Sequence, residues 1–463
     1  MVIVCPVVNE TSVGDRRSVT ETLRQQLIRG GAGSMAVKLG GTALGFAIAV
    51  VLARTLGADG YGVYAFVLSL IMLLAIPAQV GLPALVVRET AKAQASDQWS
   101  LMRGLWRWSN LFVALFSVLM VTIGVLALWL GGEWLGESRW QTLAVGLALV
   151  PLIALANVRG AALRGLRRVV LGQLPESILR PGLLLAMVLV AVWWWNAGAL
   201  TPAGVMGLHG IAAFTAFLIG AALLLRARPE ALRAGPKPEY ESRYWRQAAM
   251  PLAMLAGLQL VNAHTDIIML GIIRGDEEVG VYRVVVQVAL LVVFGLQAIN
   301  QVLQPYFARL HARGELERLQ RLVTFSARII LLLALPPVLV MLAFGGPLLE
   351  FLFGVEYRLG AIALAILALG QLINAAMGSV GMLLNMTGHE RDTVRGVAIA
   401  AGSNVVLNLV LIPTFGLEGA AAATAITLLI WNLILRYYVQ IRLRVETSAI
   451  GLHNRSSSYI TWR

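Results

Sequence analysis

The sequence predicts an all-α polytopic membrane protein, with about 12 transmembrane helices in two pseudo-symmetric six-helix lobes around a central cavity. Three observations predict it. The chain of 463 residues is 58% hydrophobic and 13% charged, with a mean hydropathy of +0.77. Apolar segments of roughly 20 residues, enough to cross a ~30 Å core at about 1.5 Å per residue, recur along its length. A turn sequence also occurs twice: Gly62-Val63-Tyr64 returns about 218 residues later as Gly280-Val281-Tyr282, each time entering a long apolar run. An echo at half the chain length points to two related halves, and such bundles place their working cavity between them.

Residues 1–33 read as a cytoplasmic lead-in. They carry Arg16, Arg17, Arg24 and Arg29, with no short apolar core and small-residue cleavage site, so no cleaved signal peptide is expected; an interfacial helix is expected from about Val19 to Ile28. Spans near 34–56, 62–85, 106–130, 140–160, 170–195 and 202–225 form the N-terminal lobe, 34–225. The stretch 226–246, rich in charge and proline, is the cytoplasmic linker. Spans near 247–273, 279–305, 322–344, 360–386, 394–412 and 417–438 form the C-terminal lobe, 247–440, before a cytoplasmic tail at 441–463. Leu163 to Arg168 and Thr387 to Arg391 are a weaker echo at equivalent inner loops. The abundant glycines, Gly45 and Gly396 among them, read as close helix packing. Prolines at 77, 83, 151, 175, 181, 251, 305, 336 and 337 mark kinks or hinges.

The net charge of +13 belongs to short loops between apolar spans, which is topology and not nucleic-acid binding. Most Lys and Arg lie in the tails and even-to-odd loops, against Arg54, Arg139, Arg274 and Arg358 on the other side. Both termini are therefore expected in the cytoplasm, in a multi-pass protein of the inner membrane. The opposite loops are short and several are acidic, such as Asp276-Glu277-Glu278. The lone Cys5 permits no intrachain disulfide, and there is no phosphate loop, no HExxH and no Cys/His cluster. An enzyme is not expected, nor a cofactor or metal; a coupling ion, proton or sodium, stays open.

Ionisable groups at membrane depth call for a partner or a wet cavity. Asp266 on the seventh span shares a face with Gln259 and Asn262. It is read either as the partner of Arg54 or Arg283 or as a cavity carboxylate binding a proton, a cation or a sugar hydroxyl. Gln297, Asn300, Gln301 and Gln304 form an amide stripe on the eighth span, either interhelical glue or a sugar-wetting wall. Glu176 and Arg180, four residues apart in the fifth span, read as an internal ion pair. Lys38 and Arg328 lie near inner ends, within snorkelling reach of headgroups. Arg54 and Arg283, near outer ends, run against the positive-inside trend, which an anionic ligand explains as well as a pair with Asp266 does.

Ala53-Arg54-Thr55-Leu56-Gly57 with Tyr61-Gly62-Val63-Tyr64, then Gly81-Leu82 and Arg88-Glu89, then Asp266 with Val279-Gly280-Val281-Tyr282, and finally Gly416-Leu417-Glu418-Gly419-Ala420, resembles the polysaccharide-transport family of lipid-linked oligosaccharide flippases. Its superfamily, the multidrug/oligosaccharidyl-lipid/polysaccharide one, also holds drug exporters and lipid II flippases. The resemblance runs from about residue 24 to 440. It implies two lobes set as a V, with helices 1, 2, 7 and 8 lining the cavity. It also implies translocation of an undecaprenyl-diphosphate-linked oligosaccharide from the inner to the outer leaflet, for cell-surface polysaccharide assembly, with the polyprenyl tail left in lipid. Its partners would be membrane lipid, that oligosaccharide and other polysaccharide-assembly proteins. The substrate would meet Arg54, Arg283, Asn262, Gln297, Asn300, Gln301 and Gln304, and Asp266 would couple transport to an ion. The alternative is a cation- or proton-coupled multidrug antiporter of the same superfamily, in which Asp266 is the cavity acid.

Overall fold

The computed structural model describes residues 13–195, 200–233 and 237–449. Every long element among them is helical. In order they are α1 (Val13–Gln79), α2 (Leu82–Ala95), α3 (Trp99–Leu135), α4 (Glu137–Gly146), α5 (Leu149–Gly165), α6 (Val169–Leu174), a π-helical turn at Pro175–Leu179, α7 (Arg180–Trp195), α8 (Pro202–Ala227) and the short α9 (Glu230–Arg233). The second half has α10 (Ser242–Ile273), α11 (Asp276–Ala312), α12 (Leu316–Phe353), a 3-10 turn at Val355–Gly360, α13 (Ala361–Met377), α14 (Val380–Met386) and α15 (Glu390–Leu443).

Ten helical segments are long and apolar enough to cross a membrane. Two of these contain a reversal. α1 leaves helical geometry at Gly57 (φ 69°) and α15 at Gly416 (φ 54°), values open to glycine and strained for other residues. Gly419 sits against the Leu411 carbonyl eight residues earlier, an approach only a hairpin allows. Counting both arms of α1 and of α15 gives twelve passes, which returns the described ends to one side, here termed inner. Each hairpin's second arm exposes free N–H groups to an apolar surrounding, and a carboxylate answers it. Glu356 accepts from the Ala58 N–H and Glu278 from the Leu417 N–H, both at 2.8 Å. The acidic outer loops thus cap helices.

Helix ends differ from the sequence expectation where glycine acts, with proline or alone. The second span stops at Gln79, since Val80 and Gly81 turn left-handed (φ 40° and 67°) before Pro83 opens α2. A Cβ at Gly81 would fall 2.4 Å from the Ala253 nitrogen, so the break lets α1 and α2 lie directly on α10. The tenth span breaks at Gly378 (φ 71°) by glycine alone, with no proline beside it. Elsewhere helices outrun their apolar cores: α3 has 37 residues and α12 has 38. The echoed inner loops close alike, with Arg168 N–H donating to Leu163 O and His389 N–H to Leu384 O, both at 2.9 Å, around left-handed Arg167 and Gly388.

The lobes, α1–α8 and α10–α15, meet chiefly where α1 crosses α11 and α10. A Cβ on Gly62 would land 1.8 Å from the Asp276 carbonyl oxygen, and one on Gly280 would land 1.9 Å from that of Ala58. The two glycines of the repeated motif therefore touch each other's halves reciprocally, backbone on backbone. Beyond α15, Val445, Thr447, Ser448 and Ala449 are buried in the second lobe and Glu446 is half-buried. Gln320 bonds both ways with the backbone of Glu446 at 2.7 Å, and Ala449 N–H donates to Ala376 O at 2.9 Å.

Candidate functional site

At the outer ends the lobes are joined by polar contacts. Arg139, following α3, places its Nε 2.9 Å from both carboxylate oxygens of Asp276, donates to Gly271 O at 2.8 Å, and lies 4.5 Å over the Phe66 ring. Tyr357 donates to Ala53 O at 3.3 Å. Arg54 donates to the carbonyls of Phe351 and, at 2.8 Å, Leu352. It serves the last turn of α12, where carbonyls have no helical partner and the helix dipole favours a cation. Arg274 and Arg358 pair with Glu278 and Glu350 at 3.6 and 3.2 Å. All four outer-loop arginines therefore engage protein groups.

Deeper, in the seam between lobes, Arg283 on α11 reaches the hydroxyl of Tyr61, and its charge bears on Tyr64 and His264. His264 in turn lies 3.2 Å from the Ser69 hydroxyl across the seam. From the first lobe, Arg180 bears on the same Tyr64 and on His209. Tyr64 and Tyr282, equivalent in the repeat, act alike within their lobes. Tyr64 shares a 2.9 Å hydrogen bond with His209 Nδ1, while Tyr282 donates to Asp266 at 2.9 Å.

Asp266 pairs with neither Arg54 nor Arg283. It is buried inside the second lobe, where its carboxylate accepts from Tyr282, from Asn408 Nδ2 at 2.8 Å and from Thr424 Oγ1 at 2.5 Å. Three neutral donors replace the expected cation because this face of α10 turns into α11 and α15, away from the seam that His264 faces. One turn away, Asn262 has a buried Oδ1 without a hydrogen-bond partner, as does Asn408. Asn404 and Asn408, four apart on an apolar helix, were a legible sequence signal for this cluster.

In the first lobe, Glu176 in the π-helical turn lies 3.5 Å from Arg180 and 3.3 Å from Arg159 of α5. Arg159 is buried, donates to Phe217 O, stacks 4.9 Å over the Phe217 ring and keeps its Nε unpartnered. Gly220 leaves room for it, since a Cβ there would meet the guanidinium at 2.4 Å. One carboxylate is thus shared by two guanidinium groups, leaving a net positive charge. Gly40 and Gly41 let α1 press directly on the turn, at Ile178 and the Ser177 carbonyl. Arg159 escapes sequence reasoning because it stands at the predicted inner end of its span, where a snorkelling arginine is ordinary.

The amide stripe divides between neighbours. Gln297 faces α1, in a small polar pocket with Ser34, Lys38 and Thr42. Asn300 accepts from the Ser379 hydroxyl at the α13–α14 break, and Gln304 is half-buried. The Gln301 side chain lies outside the described residues. Among the described side chains the stripe divides, because a step of three residues turns Asn300 toward the α13–α14 break while Gln297 stays on α1.

The family described as "Polysaccharide biosynthesis protein" matches residues 27–311, more than half of the chain. The chain belongs to that family. A second family, MatE, matches residues 251–413. Among curated relatives, "Probable low-salt glycan biosynthesis flippase Agl15" of Haloferax volcanii is 22% identical over 426 residues, covering 89% of this chain and 83% of that one. "Probable flippase AglR" of the same organism is 25% identical over 412 residues, covering 85% and 79%. Among solved structures, an inward-facing multidrug resistance MATE family transporter aligns with a TM-score of 0.71 at 13% identity, over 89% of this chain and 98% of that one. The lipid II flippase MurJ, in an inward closed conformation, aligns with a TM-score of 0.68 at 12% identity, over 88% and 87%. This family member therefore has the fold of the multidrug/oligosaccharidyl-lipid/polysaccharide superfamily, and it is a multi-pass membrane transporter. Within that fold, Arg283, Arg180 and the tyrosines between them converge on the lobe seam, whereas Asp266 belongs to the interior of one lobe.

Proposed function

We propose that this protein flips a polyprenyl-diphosphate-linked oligosaccharide from the inner to the outer leaflet of the cytoplasmic membrane by alternating access, with both termini cytoplasmic. The observation that carries the reading is the cationic seam: Arg283 comes from one lobe, and from the other come Arg180 and Arg159, which share the single carboxylate of Glu176. A diphosphate brought into a low-dielectric cleft needs guanidinium donors, and surplus positive charge there selects anions. A drug antiporter needs an acid facing its cargo. Here the acid of the seventh span, Asp266, faces away from the seam, which favours the flippase over that alternative.

In this reading the outer polar contacts hold the lobes together while substrate loads from the inner leaflet, and release follows when they part. Asp266 is the coupling group. Its surroundings offer oxygen donors, the Asn404, Asn408 and Asn262 amides and the Thr424 hydroxyl, which suit a proton or a hard cation such as sodium. Binding there tightens α10 against both arms of α15 and biases one lobe arrangement. A deletion strain tests the function: lipid-linked oligosaccharide should accumulate on the inner leaflet and return to normal with the wild-type gene. Unchanged surface glycan together with lost drug resistance would reverse the choice.

A further inference from the structure

Beside the small polar pocket of Lys38 and Gln297, a groove of about 370 Å³ runs between the first arm of α1, the inner half of α11 and the start of α12. Met35 and Ala298 line both. The groove wall is otherwise apolar, with Ile299, Val302 and Phe325 prominent, and its Ser326 hydroxyl is turned back to Val323 O at 2.8 Å. Val302 is 57% and Phe325 63% exposed, so the groove opens sideways toward the lipid. Its size lies in the range of ordinary ligand pockets, about 300–1,000 Å³.

Resting on the flippase reading above, we propose that this groove receives the isoprenoid end of a polyprenyl diphosphate, with Lys38 beside the diphosphate, so that the tail's first units are held by protein and not by bulk lipid. The junction of groove and pocket selects the occupant. Bare apolar surface of the kind on α3, where Leu111, Leu115 and Val118 are exposed, accepts any acyl chain. This groove instead passes through two shared residues into a pocket holding the Lys38 ammonium and the Gln297 amide, at the seam where the lobes meet; the Ser34 and Thr42 hydroxyls beside them donate to Gln173 Oε1 and Lys38 O. The ligand that matches it is an amphiphile whose anionic group sits directly on a branched hydrocarbon. A glycerophospholipid separates its phosphate from its chains by the glycerol esters, and polar atoms would then have to lie in the groove. Branched methyls suit the small and β-branched lining, Ala298, Ile299 and Val302.

The test uses the full-length protein in vesicles and a farnesyl diphosphate probe carrying a photoreactive diazirine on its first isoprene unit. Adducts are expected on α11 and α12 within the groove, removed by unlabelled undecaprenyl diphosphate and not by phosphatidylglycerol. Val302→Trp, at an open position that fills the groove without displacing core, should lower labelling on the order of tenfold. Lys38→Gln should lower it as well, without moving the adducts. Adducts spread over α3 as much as over the groove, or equal displacement by phosphatidylglycerol, would overturn the proposal and assign the groove to bilayer lipid. Labelling of the native protein needs no transport, whereas the deletion strain reports transport without reference to the groove, so the two readings fail separately.

Discussion

Arg139→Ala should release the outer contact and shift the protein toward its outward-open arrangement. The lost interactions are the two contacts with Asp276, the Gly271 carbonyl bond and the stacking on Phe66. A hydrogen bond to a charged group contributes about 1.5–3 kcal/mol, and a cation over a ring about 0.5–2 kcal/mol more, toward the upper end where the ring, as Phe66 is, lies buried. Both partners keep modest solvent contact, 17% and 16%, which discounts the sum to roughly 2 kcal/mol. At about 1.4 kcal/mol per decade that is a population change of about 30-fold. Spin labels at Ser138→Cys and Glu277→Cys, in a Cys5→Ser background, report the separation by pulsed electron resonance. A longer-distance population should grow in Arg139→Ala and Asp276→Ala alike, and the double variant should be no worse than either. An unchanged distance distribution in both single variants would refute the assignment of this pair as an outer lock.

Gly62→Ala and Gly280→Ala should each cost about 1–3 kcal/mol or more by forcing the helices apart, read as lost yield and lowered melting temperature in detergent. Arg283→Ala should abolish flipping while Arg283→Lys retains part of it, whereas Arg54→Ala should lower thermal stability by about 0.5–1 kcal/mol with flipping kept; vesicle flipping assays beside melting curves separate the two. Asp266→Asn should flip without response to an imposed pH or sodium gradient, and a gradient response equal to wild type would end its coupling role. Burial alone would raise the carboxyl of Glu446, but bonds from Gln440 and Ser448 and the charge of Arg436 hold it below the usual glutamate range. That depressed value makes its contribution full above the unfolded pKa, about 4.3, and lost as pH falls through the folded value, so hydrogen exchange at 444–449 should accelerate on acidification and be insensitive in Glu446→Gln.

What the sequence makes legible is what neighbours determine. The turn around Gly57 follows from local glycine chemistry and the Gly-Val-Tyr echo announces the two halves, whereas the breaks at Gly81 and Gly378 fall inside spans read as continuous. What it hides is settled by distant chain. Arg54 is read as a ligand for an anion or a partner of Asp266 because it runs against the positive-inside trend, yet its acceptors are carbonyls 298 and 297 residues away. Asp266 is read as facing the cavity or an arginine, whereas its donors Asn408 and Thr424, 142 and 158 residues on, hold it inside the second lobe. A helical periodicity gives the spacing of a stripe but not which neighbour each member meets, and so Gln297 and Asn300 part company.

The reciprocal contact of Gly62 and Gly280 carries a consequence for the symmetry of the seam. Each half has six passes, an even number, so both enter the membrane in the same sense and are related by an axis along the membrane normal. A contact in which 62 meets 276 while 280 meets 58 is isologous, the kind made by two identical subunits on a two-fold axis. The seam therefore has the geometry that two six-helix subunits would make on such an axis. The halves differ in chemistry, one holding a guanidinium pair around Glu176 and the other an oxygen cluster around Asp266. The glycine crossing that joins them leaves no room for a side chain on either side.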